Sequence, residues 1–157
     1  MSNWQEEIYK RLKPMDKLIM NHIKSGNTMN MDETTVKVLK YKNQSDNDSR
    51  KKSYIWLEIG GPKDNKAVIY RYYESRHHKY IKPFINGFKG YLQTDDYALS
   101  AWNHLLNYLD CPELFVDDNS IAERSIKPFV IGRKNWLFSG SETGAESSCF
   151  LFTLIDA

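Results

Sequence analysis

At Met31-Asp-Glu-Thr-Thr-Val-Lys-Val-Leu39 the periodicity of the chain switches from helix to strand. Thr and Val are frequent here, and Val36 and Val38 alternate with Lys37, which predicts a strand over residues 31–41 with Asp32 at its start. Upstream, Trp4, Ile8, Leu12, Met15, Ile19 and Ile23 recur at intervals of three and four. That spacing places them on one face of a helix over residues 3–24, which Pro14 kinks or splits and Ser25-Gly26-Asn27 stops. Downstream, residues 43–52 contain no apolar side chain and form a solvated loop. Tyr54, Ile55, Trp56 and Leu57 mark a second strand over 53–59, stopped by Gly60-Gly61-Pro62, and a third strand follows over 66–73. The short Gly-Pro-Lys-Asp-Asn connection makes the last two a candidate antiparallel hairpin.

Farther along, Tyr80, Phe84 and Phe88 are four apart and predict a helix over 75–88. A short strand over 90–94 ends at Asp95-Asp96. Residues 97–109 read as a helix with Leu99, Trp102, Leu105, Leu106 and Leu109 on its apolar face. A further helix starts near Asp118-Asn119 and runs to Pro128, residues 129–138 read as irregular or extended, and residues 142–155 as a final helix. Strands interleaved with helices predict an α/β fold, and three strands able to pair antiparallel, then a helix and a fourth strand, match the opening of a ribonuclease H-like mixed sheet flanked by helices.

Composition narrows the function classes. The chain has 157 residues, 22 Lys+Arg against 20 Asp+Glu, a net charge of +2, and 41% hydrophobic residues. That is enough apolar material for a core and argues against a disordered chain. No apolar run approaches the ~18 residues of a membrane helix, and residues 1–10 lack a signal-peptide core, so the expectation is a soluble cytoplasmic protein without a membrane partner. Cys111 and Cys149 alone cannot build a disulfide framework or a four-ligand zinc site and are expected as unpaired thiols. Charge is unevenly spread: residues 63–90 carry seven Lys+Arg and two Asp+Glu. Such a stretch suits phosphate contacts.

Three acidic residues stand where chemistry could use them. Asp32 begins the first strand, Asp95 follows the fourth, and Glu123 lies in the first turns of a helix. Carboxylates gathered from strand ends and a helix can hold two Mg²⁺ ions about 4 Å apart, activating a water or hydroxyl and stabilising the leaving oxygen of a phosphodiester. Plainer roles exist for each: a solvated strand start for Asp32-Glu33, a helix cap for Asp95-Asp96, and an i, i+4 pair with Lys127 for Glu123.

The strings around these acids are distinctive. Residues 31–39, Gly-Tyr-Leu-Gln-Thr-Asp-Asp-Tyr-Ala (90–98), Tyr-Tyr-Glu-Ser-Arg (72–76) and, above all, Asn-Ser-Ile-Ala-Glu-Arg-Ser-Ile-Lys-Pro-Phe-Val-Ile-Gly-Arg-Lys-Asn-Trp-Leu-Phe-Ser-Gly-Ser-Glu-Thr-Gly-Ala (119–145) resemble transposases of the insertion-sequence-66 family. Those are DDE enzymes with a ribonuclease H-like catalytic domain. The resemblance runs from about residue 5 to residue 157. It implies that Asp32, Asp95 and Glu123 are the catalytic, metal-binding triad, with Mg²⁺ as cofactor in a two-ion site. Asp96 stands where the family usually has glycine. Arg124, Lys127, Arg133 and Lys134 would lie near the metals and contact DNA phosphates, although a solvated basic face is the plainer reading of each. The implied function is metal-dependent DNA strand cleavage and transfer in the transposition of a mobile element, with transposon-end DNA as partner. A homo-oligomer, or association with a full-length transposase, is implied as well.

This chain departs from the family in one region. Sixty-three positions separate Asp32 from Asp95, but only 28 separate Asp95 from Glu123. Relatives place a fifth strand with a Cys-Trp-Ala-His-type string and a helical insertion there. The expected organisation is an N-terminal helical segment at 1–27 and a ribonuclease H-like core at 28–157, shortened between 97 and 118 and incomplete in its sheet. Leu114-Phe115-Val116 could substitute as a minimal strand. The family's N-terminal DNA-binding region is not represented, and the chain stops inside the family's last helix motif. These features predict a degenerate, inactive copy that still folds partly. The alternative is a non-catalytic DNA-binding remnant using residues 63–90 and 124–134.

Other signals carry less. His77 and His78 are adjacent, so they diverge on a helix and fit a basic surface better than a shared metal. Tyr72, Tyr73, Tyr80 and Trp102 could stack on bases, but core packing is the favoured role. Gly132, Gly140 and Gly144 match no phosphate-binding fingerprint.

Overall fold

A computed structural model describes residues 3–39, 52–94, 120–136 and 139–156. Four strands, β1 (Thr28–Lys37), β2 (Lys52–Gly60), β3 (Ala67–Tyr73) and β4 (Tyr91–Thr94), form one mixed sheet in the order β3-β2-β1-β4. β1, β2 and β3 are an antiparallel meander, with Asp32 opposite Leu57 and Leu57 opposite Tyr70. β4 joins β1 in parallel, from Thr28 opposite Tyr91 to Met31 opposite Thr94. The fold is therefore α/β, a mixed sheet flanked by helices.

Because successive strand residues point to opposite faces, the sheet has two packed surfaces. On one lie Met29, Met31, Trp56 and Ile69, covered by Met20 and Ile23 of α2 (Met15–Lys24) and by Ile81. The other carries Val36, Val38, Ile55, Leu57, Ile59, Val68, Tyr70 and Tyr72, packed on Ala122, Ile126 and Phe129 of one helix and Ala145 and Cys149 of another. Burying each large side chain such as Leu57 or Ile69 contributes roughly 1.5–3 kcal/mol. β2 is central and covered on both faces, which explains its long apolar run.

The N-terminal helix divides at Pro14, as its sequence requires, into α1 (Asn3–Leu12) and α2. α2 ends by lying on the β2–β3 turn. A Cβ on Gly26 would stand 2.0 Å from the Gly61 carbonyl oxygen, and Gly61 itself has φ +116°, so both positions require glycine. His22 Nε2 donates to the Asn65 carbonyl at 2.7 Å across the same junction.

Three expectations are corrected. β1 runs from Thr28 rather than residue 31, so Asp32 lies mid-strand; the parallel pairing with β4 extends β1 at its N-terminal side. Residues 75–88 are not one helix but a 3₁₀ turn at His78–Tyr80 and a single-turn α3 (Lys82–Ile85). Pro83 lacks the N–H a continuous helix needs, Gly87 sits at φ +82°, and Tyr80 is drawn onto Tyr73 with ring centroids 5.0 Å apart. The helix carrying Glu123, α4 (Ser120–Trp136), does not stop at Pro128. Its buried stripe Ala122, Ile126, Phe129 runs through the proline, which faces solvent, and packing outweighs the lost hydrogen bond. The Tyr70 hydroxyl also supports this turn by donating to the Ser125 carbonyl at 2.6 Å.

The last helix, α5 (Glu142–Asp156), covers the free edge of β3. Thr153 Oγ1 accepts the Tyr70 N–H at 2.9 Å and donates to the Cys149 carbonyl at 3.0 Å, which satisfies an edge amide that water or another chain would otherwise take. α1 leans on α5 through Tyr9 and Phe150, whose rings meet edge-on at 5.5 Å. Among the described residues no helix is long and apolar enough to cross a membrane. The 97–109 helix, the shortened 97–118 segment with its minimal strand, Asp96, Trp102 and Cys111 fall outside the described residues.

Candidate functional site

Asp32 lies on β1 with the parity of Val36, so its side chain belongs to the sheet face that α4 covers. It is half-buried, and its Oδ1 accepts the Glu33 N–H at 2.7 Å. Two residues back on the same face, Asn30 is buried and its Nδ2 donates to Gln93 Oε1 on β4 at 2.9 Å. A polar pair thus links the two parallel strands just before Asp32.

The described part of β4 stops at Thr94, paired with Met31. Asp32 is the residue after Met31, and Asp95 is the residue after Thr94. Asp95 itself lies outside the described residues. Glu123 is exposed on α4, beside the fully buried Ala122 that seats this helix on the sheet. Asp32 and Glu123 therefore belong to the same side of the sheet. Arg124 and Lys127 are exposed on the same helix, and Arg133 and Lys134 continue it toward its C-terminal end. Among the described residues, no three His, Cys, Asp or Glu side chains come together to hold a metal ion. One of the three predicted carboxylates is not among them.

Two acids prove structural: Glu33, which the plainer sequence reading made part of a solvated strand start, and Glu58, which the sequence did not single out. Glu33 points to the opposite face from Asp32, where its Oε1 meets Arg76 Nη2 at 2.6 Å with the Glu33 side chain only 7% exposed. Glu58 on β2 is fully buried, and neither carboxylate oxygen has a hydrogen-bond partner among the described residues. Burial pushes its pKa up to about 7, the Arg71 guanidinium pulls it back, and Asp16 raises it further. Asp16 is itself raised, chiefly by burial and against the pull of Arg71 and Lys13. The sequence signal for Glu58 was an acid between Leu57 and Ile59 in a largely apolar run. The partner of Glu33 could be found only from the strand phase.

Tyr72 is buried and Tyr73 stacks on Tyr80, so these aromatics serve the core as expected. His77 is exposed, and its Nδ1 accepts the Lys79 N–H at 3.2 Å, within the turn rather than toward a metal. Cys149 is a buried free thiol whose pKa burial drives well above its ordinary value. A cavity of about 340 Å³ lies at the β3 edge among Tyr9, Asp16, Arg71, Tyr73, Phe84 and Glu146, away from Asp32.

Comparison with known proteins places the chain. The uncharacterized protein y4hP of Sinorhizobium fredii (strain NBRC 101917 / NGR234) is 33% identical over 60 residues, 38% of this chain and 11% of that protein. The uncharacterized protein y4jD of the same organism is 39% identical over 61 residues, 39% of this chain and 12% of the relative. The aligned part is thus a small fraction of either relative's length. No solved structure matches. The model of the family described as "Transposase IS66 family" matches residues 1–99 and again 96–147, nearly the whole chain in two stretches that meet just past β4. With both strands of the Asp32 region and the Glu123 helix inside those stretches, the chain belongs to the IS66 transposase family.

Proposed function

We propose that this chain carries the core of a DDE-type DNA transposase, a ribonuclease H-like sheet on which Asp32, Asp95 and Glu123 serve metal-dependent DNA strand cleavage and transfer. The observation that carries this reading is the Met31–Thr94 pair between neighbouring parallel strands: in the sequence, Asp32 and Asp95 each directly follow one of its members. The strand order, with the meander on one side of β1 and β4 on the other, and the packing of α4 on the Asp32 face support it.

The donor set is entirely carboxylate oxygen, without thiolate or imidazole, and fits Mg²⁺ or Mn²⁺. When bound between Asp32, Asp95 and Glu123, such ions would lower the pKa of an attacking water or hydroxyl and stabilise the departing oxygen. The protein's own part is placement. β1 fixes Asp32 through its ladder to β2, and the Ala122–Ile126–Phe129 stripe fixes the turn of α4 that bears Glu123. Arg124 and Lys127, one and four residues on, would hold the DNA backbone against that edge.

A second reading is favoured by one finding. The family matches in two stretches that meet at 96–99, which fits the short Asp95–Glu123 interval and a core lacking the intervening family sequence. A misplacement of even ~1 Å at Glu123 can cost ~100-fold in rate. In that case the chain binds DNA through its basic residues without cutting it. Incubation with supercoiled plasmid and Mn²⁺ tests both. Slow nicking that disappears in Asp32→Ala supports the catalytic reading. Salt-dependent DNA binding without nicking supports the second. Nicking that persists in Asp32→Ala overturns the assignment of Asp32.

A further inference from the structure

We propose that Arg76 is a positioning residue for the Asp32 carboxylate, acting through Glu33 from the opposite face of the sheet. The inference rests on Asp32 being a metal ligand, the reading given above. Asp32 and Glu33 are consecutive on β1, so the pleat sends them to opposite faces. Whatever immobilises Glu33 therefore fixes the backbone that aims Asp32 without occupying the face where metal and DNA would sit.

Arg76 does this by geometry. Its Nη2 lies 2.6 Å from Glu33 Oε1, and the Glu33 side chain is 7% exposed against 35% for Arg76. A charge-assisted bond with one partner nearly dry is screened less than a fully exposed pair and is geometrically specific. The guanidinium also lies over the Tyr54 ring, with Cζ 5.0 Å from the centroid. Tyr54 pairs with Thr35 of β1 on one side and Tyr73 of β3 on the other. Arg76, three residues beyond β3, thus bridges the far strand of the meander to the position beside Asp32. On the near side, the Glu33 N–H donates to Asp32 Oδ1 at 2.7 Å. Side chain and amide of one residue connect the guanidinium to the carboxylate. Outer partners of this kind typically set metal affinity by 10–100-fold.

Manganese affinity tests the inference, read by Mn²⁺ electron paramagnetic resonance on the full chain, with thermal unfolding of each variant recorded in parallel. Asp32→Ala comes first and loses the site if the underlying reading holds. Arg76→Gln then weakens Mn²⁺ binding about 10-fold in folded protein, Glu33→Gln does the same, and the double variant is no worse than either single one. Arg76→Lys, which keeps a cation near Oε1, recovers most of the loss, whereas a purely structural defect would be read in the unfolding curve alone. Glu33→Gln preserves shape and carries the test if Arg76→Gln does not fold. Wild-type Mn²⁺ affinity in folded Glu33→Gln, with Asp32→Ala defective, overturns the role of Arg76. Unchanged affinity in Asp32→Ala overturns the metal reading itself.

Discussion

Neighbouring acids on one strand do opposite work. Asp32 faces α4, and Glu33 faces Arg76 behind the sheet. The sequence singled out the first through its family resemblance, since its strand context alone also allowed a solvated strand start. It hid the second, because strand phase depends on which face each partner strand presents. Glu58 is the sharpest case of a buried acid without a hydrogen-bond mate among the described residues. Its pKa stands above the usual carboxylate value, so the folded state favours the protonated form. The stability that Glu58 itself contributes is then fully present below pH 4.5 and is lost as pH rises to about 7. At 1.36 kcal/mol per pH unit that interval amounts to ~3 kcal/mol. Replacing the group by an isosteric apolar one, Glu58→Met, should flatten urea-unfolding stability between pH 5 and 8 and raise it most at the alkaline end. A parallel, undiminished slope in the variant would move the titration to another group.

Local rules misjudged two elements for the same reason. Pro128 reads as a helix end and Tyr80, Phe84 and Phe88 read as a helix face, yet α4 continues and the 75–88 stretch breaks. In α4 the buried stripe through Phe129 outweighs one missing amide bond. In the 75–88 stretch the aromatics are needed on separate partners, Tyr80 on Tyr73 and Phe84 beneath the Arg71 guanidinium at 4.0 Å. Tertiary packing thus set element boundaries that propensity could not. Phe129 joins Tyr70 and Phe152 in an aromatic cluster, with centroids 6.1 and 5.2 Å away, so it anchors the helix that bears Glu123. Phe129→Ala should lower the unfolding free energy by about 3 kcal/mol, measured by urea denaturation. A loss under ~1 kcal/mol would mean that α4 is seated mainly by other contacts.

At the scale of the whole molecule, the four strand segments and the β2–β3 hairpin were readable, since alternation and the Gly60-Gly61-Pro62 stop are local signals, whereas the parallel seat of β4 beside β1 was not. The junction of α2 with the β2–β3 turn was not either, because it depends on backbones meeting across 35 positions at Gly26 and Gly61. Any side chain at Gly26 collides with main chain that has no room to yield. Gly26→Ala should cost roughly 1–3 kcal/mol and lower the thermal midpoint, and an unchanged midpoint would show that the junction can open. The same architecture poses the main question, whether the helix bearing Glu123 meets Asp32 on β1 and the residue that follows β4. Paramagnetic broadening by substoichiometric Mn²⁺ in amide NMR spectra of the intact chain tests that convergence most directly. The amides of Asp32, Asp95 and Glu123, with those of their immediate neighbours such as Thr94, should broaden together and first. Broadening at Asp32 and Thr94 with a sharp Glu123 signal would contradict the convergence.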